Sequence, residues 1–187
     1  MVKRAYRFYY DFEKEEAWLN EMARQGWMMN SFFLGVYQFT EGAPGEYIYR
    51  IELLPQHARS LESLSYLRFL EEAGVEIVTT WFRWAIYRRK ASEGAFDIFS
   101  DIDSRISLYR RVSRFLFPIS IFEWWVALMQ GGNLINALNP HGSSQYPLGF
   151  SLFFFLFCAL IGIGMFRAAW RSYKNYKRLE KEKQLRE

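Results

Sequence analysis

The side chains that most often carry out chemistry are few in this chain, and they are scattered. The sequence has one cysteine, Cys158, and two histidines, His57 and His141, which lie far apart without a cluster of cysteines or carboxylates around them. A structural zinc site needs about four such ligands at short spacings, and a catalytic nucleophile needs a base beside it. We therefore expect no metal, no cofactor and no enzymatic activity.

Carboxylates are concentrated near the start of the chain, on or just before one predicted helix: Asp11, Glu13, Glu16 and Glu21. An enzyme could use paired carboxylates for acid–base catalysis. The sequence offers them no pattern of His, Cys or Ser partners. We therefore interpret them as a solvated helix face with acidic residues in the first turn, where the helix dipole favours negative charge.

Apolar residues are segregated in the last third of the chain, where two runs could each cross a bilayer. We predict spans at about 112–132 and 147–168 within a hairpin over 112–170, because a spanning helix needs about 20 predominantly apolar residues. The second run is uncharged at its centre, whereas the first contains Pro118 and Glu123. The first run is therefore the weaker candidate for a membrane-spanning helix.

Charges that flank the two runs predict their orientation. Cations precede the first run and follow the second, while the connecting segment 131–146 has no Lys, Arg, Asp or Glu. The positive-inside rule then places both termini in the cytoplasm and the connection outside the cell membrane. We expect residues 171–187 to form a basic helix at the membrane surface. Six cations are candidates for contact with lipid headgroups: Arg110, Arg111, Arg114, Arg167, Arg171 and Lys174.

Glu123 is the one ionisable residue well inside a predicted span. Burying a carboxylate at the centre of a membrane helix costs a few kcal/mol, so such residues often have a function. One interpretation is a proton- or cation-linked switch, or a contact between helices. The other is a protonated or snorkelling side chain near the outer leaflet, and the sequence leaves both open.

Charge is distributed unevenly along the chain. Residues 1–104 carry 12 Lys and Arg against 16 Asp and Glu, whereas residues 105–187 carry 12 against 4. The N-terminal part therefore lacks the basic face that direct nucleic-acid binding requires. The basic part flanks the apolar runs, which suits the headgroups of a lipid bilayer.

Periodicity predicts an α+β domain over residues 1–90, followed by a linker helix over 91–111. The order strand–helix–strand–strand occurs twice, and aligning Gly26 with Gly74 aligns the segments around them. We infer a duplicated βαββ unit, with repeats at about 3–41 and 45–90. The predicted architecture is one antiparallel-rich sheet with both helices on one face. The predicted elements are strands at 4–10, 27–33, 36–40, 46–53, 75–80 and 82–89 and helices at 12–25 and 56–73.

Helices on one face would leave the other face of the sheet open, and strand alternation places aromatic side chains on it. We take Tyr9, Tyr37, Tyr49 and Trp84 as candidates for binding a partner or a ligand. Such a platform could bind a peptide, a small molecule or another protein domain. Pairing with a second copy or packing on the membrane hairpin would cover the same face, and a homodimer is one such arrangement.

Residues 10–27 follow the pattern aromatic-x-Phe-x-x-Glu-x-x-Trp-Leu-Asn-x-Met-Ala-x-x-Gly-Trp. This pattern, together with residues 35–51, resembles the bacterial domain of unknown function 2812 over roughly the first 90 residues. The resemblance implies a soluble N-terminal part followed by membrane helices. It implies no known activity and no catalytic residues. Members are often encoded beside PadR-type transcriptional regulators, which suggests a membrane-bound sensor or anti-repressor.

Two functions follow as expectations. The first is a membrane-anchored regulatory or sensor protein whose cytosolic domain binds a protein partner, with a PadR-type repressor as the partner that the resemblance suggests. The alternative is a ligand-binding module that senses an amphipathic compound or a membrane-active antibiotic. The acidic, aromatic-rich domain without catalytic groups motivates the first. The aromatic content and the hairpin motivate the second.

Overall fold

A computed structural model describes residues 1–99, 101–139, 141–142, 144 and 146–185. The chain divides into two compact units, Met1–Ser104 and Arg105–Glu187. Among its described residues, the N-terminal unit has six strands and two complete α-helices, in the order of a duplicated βαββ unit. Its elements are β1 Val2–Tyr6, α1 Phe12–Arg24, β2 Trp27–Phe33, β3 Val36–Glu41, β4 Tyr47–Leu53, α2 Leu61–Glu72, β5 Glu76–Trp81 and β6 Trp84–Lys90.

The strands form two antiparallel sheets, one for each repeat, with the orders β1-β3-β2 and β4-β6-β5. The α+β class and the duplication are confirmed, and the sheet that the sequence predicted as one is divided in two. Hydrogen bonds from side chains, in place of a backbone ladder, join the edge of β2 to the second sheet. The Met29 N–H donates to the Tyr49 hydroxyl (2.8 Å), and the Met29 carbonyl accepts from the Arg88 guanidinium (3.3 Å).

A shift of 48 positions relates the two repeats in detail. It superposes Gly26 (φ 83°) on Gly74 (φ 82°), and both glycines follow a helix in the left-handed conformation that L side chains rarely adopt. It also superposes Leu34 on Phe82, which turn the two hairpins at φ 45° and 55°. Register shifts fall at matching places, between Met29 and Ser31 in β2 and between Ile77 and Thr79 in β5.

Both helices begin at a side-chain cap. The Asp11 carboxylate accepts a hydrogen bond from the Glu13 N–H (3.1 Å), and the Ser60 hydroxyl accepts one from the Ser63 N–H (3.2 Å). Such caps satisfy backbone donors that have no partner inside the helix. The second repeat buries a core between α2 and its sheet, and Phe96 from the following segment completes it. That core consists of Leu54, Ala58, Leu67, Leu70, Val75, Ala85, Tyr87 and Phe96.

The second unit is built on two long helices, and α3 (Ile102–Leu138) starts in the segment that leads into it. Within the linker helix predicted over 91–111, the structure has a short 3-10 turn at Ala91–Glu93 and the start of α3 at Ile102. The connection predicted to start at Gly131 is shorter, because α3 continues through Gly131 and Gly132 to Leu138. Helix α4 is Leu148–Gln184. Both helices are long and apolar enough to cross a membrane.

Candidate partner-binding surface

Helix α1 covers the outer edge of β4 with a side chain that imitates a neighbouring strand. The Asn20 carboxamide donates from Nδ2 to the Tyr49 carbonyl (3.0 Å) and accepts at Oδ1 from the Tyr49 N–H (2.8 Å). These are the two bonds that a residue of an adjacent strand would make. One side chain thus satisfies both outward backbone groups of Tyr49, as a covered sheet edge requires.

Glu16, one turn before Asn20 on α1, extends the same cover. Its Oε2 accepts from the Ile51 N–H (2.9 Å), and its Oε1 lies 3.2 Å from the Arg50 guanidinium. Burial raises the pKa of Glu16 above its ordinary value, while the hydrogen bond from Ile51 and the charge of Arg50 oppose that rise. Glu16 and Asn20 together pair with two successive outward positions of β4.

Strand β1 occupies the position in the first sheet that β4 occupies in the second, and its outer edge is open. The Arg7 N–H donates to the Gly35 carbonyl (2.8 Å), and the Met1 carbonyl accepts from the Glu41 N–H (3.2 Å). Residues at odd positions therefore bond to β3, and Val2, Arg4 and Tyr6 direct their backbone groups outward. None of the residues that the structure describes hydrogen-bonds to those groups.

The register of the strands identifies the matching residues of the two edges. Val2 lies opposite Thr40 in β3, and Tyr49 lies opposite Arg88, which is 48 positions after Thr40. Val2 therefore corresponds to Tyr49. By the same pairing, Lys3 corresponds to Arg50 and Arg4 corresponds to Ile51.

A row of exposed apolar side chains runs from the open edge strand across the end of the sheet to β2. Tyr6 is 74% exposed and Phe33 is 66% exposed. Both residues lie opposite Val36 of β3, so the three residues form one row across the sheet. The ring of Phe8 packs over Gly35, where a Cβ would lie only 2.7 Å from a ring atom. An exposed apolar group of this kind marks an interaction site more often than chance. We call this region the β1 surface: Val2, Arg4, Tyr6, Phe8, Phe33 and Leu34.

The tip of the β1 surface contains backbone strain. Leu34, 52% exposed, has a φ of 45°, a conformation that is costly for a bulky side chain and that Gly or Asn would adopt more easily. Phe82 at the matching tip of the second repeat has a φ of 55° and is also half exposed. Both hairpins thus present a large apolar residue where folding alone favours a small or polar one.

Two of the predicted binding candidates are not accessible. Tyr37 and Tyr49 are fully buried, so neither ring can meet a partner, and burial raises the pKa of both phenols. The Tyr37 hydroxyl donates to the Glu15 carboxylate (2.7 Å). Burial also raises the pKa of Glu15. The prediction was wrong because strand alternation places these rings on faces that a helix covers.

The other two candidates are half buried in separate places. The ring centroid of Tyr9 lies 5.7 Å from that of Trp18, and the Arg7 guanidinium stacks over the same indole at 4.9 Å. Tyr37 also packs against Trp18, at 4.8 Å, so the structure brings Tyr9 and Tyr37 to one cluster. Trp84 packs instead against Phe12, at 6.0 Å.

Among the predicted lipid contacts, Arg110 has a partner within the protein. Its guanidinium lies 3.7 Å from the Glu180 carboxylate and 4.9 Å over the Tyr176 ring, so it joins α3 to α4. Arg111 is half buried. The remaining four side chains are exposed on the two helices, as contact with headgroups requires: Arg114, Arg167, Arg171 and Lys174.

Glu123 is half buried on the face of α3 that meets α4. A Cβ added to Gly162 would lie 3.6 Å from both the Glu123 Cβ and the Trp124 indole, so the glycine admits these side chains closely. This placement favours the helix-contact interpretation of Glu123.

Within the described ranges, no three His, Cys, Asp or Glu side chains are grouped to hold a metal ion.

The Asn20 and Glu16 edge cover and the open β1 edge were not predicted from the sequence. Their signal was present as a Glu and an Asn four positions apart on a helix, and as a cationic first strand.

Comparison with known proteins adds a family but no activity. A family model described as "Protein of unknown function (DUF2812)" matches residues 11–121, while no curated protein and no solved structure matches.

Proposed function

Because the chain belongs to the DUF2812 family, whose description states no function, we propose a role from its own geometry. The protein is a membrane-anchored regulatory protein, and its N-terminal unit binds a protein partner through the β1 surface. The observation that carries this proposal is the difference between two equivalent edges. The edge of β4 is covered by Glu16 and Asn20, whereas the edge of β1 is open and bordered by exposed aromatic rings.

An open edge is a liability that proteins normally cover, shorten or charge, because it can pair with other chains. Here the same chain covers one edge with a helix, whereas the matching edge of β1 is short and carries Lys3 and Arg4 but has no cover. Large exposed apolar side chains beside an edge add a driving force for association, since each gains by leaving water. These features support the binding of a protein rather than of a buried small molecule.

The anchor is the pair of apolar helices, which fits a two-pass membrane protein. The cations that flank them support a topology with both termini in the cytoplasm. This topology would place the β1 surface beside cytosolic proteins, including a regulator of the PadR type that the family resemblance suggests.

Cysteine labelling tests the topology, because Cys158 is the only cysteine of the chain. In a Cys158→Ala background, we expect an impermeant maleimide applied to intact cells to label His141→Cys, between the two helices. Ser92→Cys in the N-terminal unit should be labelled only after the membrane is opened. Both positions are exposed. Labelling of Ser92→Cys in intact cells would contradict the orientation.

Affinity capture of the full chain in mild detergent tests the function. We expect wild-type protein to retain a DNA-binding regulator, and deletion of the gene to change transcription of the adjacent genes. Phe33→Glu, which puts a charge on the β1 surface, should lose the regulator. Trp81→Glu, at the matching half-exposed position of the second repeat, should retain it. Failure to recover a regulator, with unchanged transcription on deletion, would refute the function.

A further inference from the structure

Resting on the proposed function, we infer the form of the partner: it contributes an acidic α-helix that lies along β1 as α1 lies along β4. That helix presents a carboxylate and, four residues later, a carboxamide. The carboxamide pairs with the N–H and C=O of Val2. The carboxylate accepts the Arg4 N–H and pairs with the Lys3 ammonium.

The chain contains its own example of such a complex. On β4, Asn20 makes two hydrogen bonds to Tyr49, of 3.0 and 2.8 Å, and Glu16 makes one to Ile51, of 2.9 Å. Residues four apart lie on the same face of a helix, which is why one helix can reach two successive outward positions of a strand. The open edge of β1 repeats the strand side of this arrangement, with Val2 and Arg4 in the places of Tyr49 and Ile51.

The cation that binds the carboxylate is repeated as well. Arg50 lies 3.2 Å from Glu16 on the covered edge, and Lys3 occupies the corresponding position of β1. The Lys3 ammonium lies 4.8 Å over the Trp27 ring, next to the open edge. With Arg4 and Arg7, residues 1–10 carry three cations and no carboxylate, although residues 1–104 are acidic as a whole. An acidic helix is the complementary partner.

A second copy of this chain fits the edge poorly. Pairing of two β1 strands would place the cations Lys3 and Arg4 of one strand against those of the other, which is unfavourable. The helix that corresponds to α1 is α2, and it carries Leu64 and Arg68 where α1 carries Glu16 and Asn20. Leucine cannot accept the Arg4 N–H, and arginine would meet the same cations. Helix α2 of a second copy therefore cannot cover this edge, and we take the occupant to be a different protein.

The apolar part of the β1 surface would receive the neighbouring side chains of that helix. Tyr6 lies on the edge strand, Phe33 and Leu34 lie at the end of the hairpin two strands away, and all three are more than half exposed. An amphipathic helix that buries these residues would exclude water from the polar pairs at the edge. Exclusion of water strengthens charge-assisted hydrogen bonds, which are the most specific part of the contact.

Two substitutions of Arg4 separate what its backbone N–H contributes to partner binding from what its side chain contributes. Arg4→Pro removes the outward N–H without removing a bond to β3, and proline is tolerated on the outer side of an edge strand. Arg4→Ala removes the charge and keeps the N–H. In the capture experiment with the full chain, we expect Arg4→Pro to lower the amount of bound regulator about tenfold or more, and Arg4→Ala to lower it only a few-fold.

Hydrogen exchange of β3 serves as the folding control for both variants, and Lys3→Glu, which leaves the backbone unchanged, gives a second measure of the same contact. A photo-crosslinker at Val2 should react with a helix of the regulator that has a carboxylate and a carboxamide four residues apart. If folded Arg4→Pro and Arg4→Ala bind alike, or the crosslink falls on a strand or on another copy of this chain, the inference is wrong. Retained sensitivity to Phe33→Glu would then leave the proposed function standing, whereas absence of any bound regulator would refute that function itself.

Discussion

Replacement of Asn20 by alanine is expected to lower the free energy of unfolding of the N-terminal unit by about 2–3 kcal/mol. The substitution removes both hydrogen bonds to Tyr49, leaves the N–H of this fully buried residue without a partner, and leaves its carbonyl only the Arg50 guanidinium (3.0 Å). A backbone group buried without a partner costs about 1–3 kcal/mol, and water that reaches the half-buried edge offsets part of that cost.

The matched control is Arg68→Ala, 48 positions later on α2, where the side chain is exposed. We expect that substitution to change stability by less than about 0.5 kcal/mol. Hydrogen exchange of the full chain in detergent measures both effects, and the amides of Tyr49 and Ile51 should lose most protection in Asn20→Ala. Equal stability of the two variants would mean that α1 does not hold the edge of β4.

The second large effect is expected at Glu52, the most buried carboxylate among the described residues. It is only 3% exposed and accepts hydrogen bonds from the hydroxyls of Tyr66 (3.1 Å) and Tyr87 (3.3 Å). Glu52→Ala would remove one hydrogen-bond acceptor from each phenol and leave a cavity in the second repeat. We expect a loss of about 3 kcal/mol in the free energy of unfolding.

Glu52→Gln separates the hydrogen bonds from the charge, because the carboxamide keeps an acceptor oxygen and nearly the same volume. We expect it to cost less than half of what Glu52→Ala costs. Glu72→Ala, the same change at an exposed position of the helix in the same repeat, should be close to neutral. Urea unfolding followed by tryptophan fluorescence compares the three variants. A Glu52→Ala protein as stable as Glu72→Ala would show that the two phenols do not depend on this carboxylate.

Local features of the sequence were sufficient for the order of the elements and their duplication, although the strand predicted at 4–10 is Val2–Tyr6 and the helix predicted at 56–73 is Leu61–Glu72. Asp11 and Ser60 precede helices because their side chains satisfy backbone donors, and Gly26 and Gly74 follow helices because both adopt a positive φ. These are interactions between near neighbours, so sequence spacing predicts them. Apolar content over the last third of the chain predicted two long helices for the same reason, although only the structure shows that the first continues to Leu138.

Which faces and edges are covered was decided by tertiary structure. Alternation placed Tyr37 and Tyr49 on aromatic faces of their strands, but it could not tell that those faces would be buried. The cover of β4 depends on Asn20, which lies 29 positions before Tyr49 and meets it only after α1 has packed. Residue patterns along the chain predicted an α+β repeat joined to two apolar helices. The open edge of β1 became visible only in three dimensions, because a sheet edge is defined by what fails to pack against it.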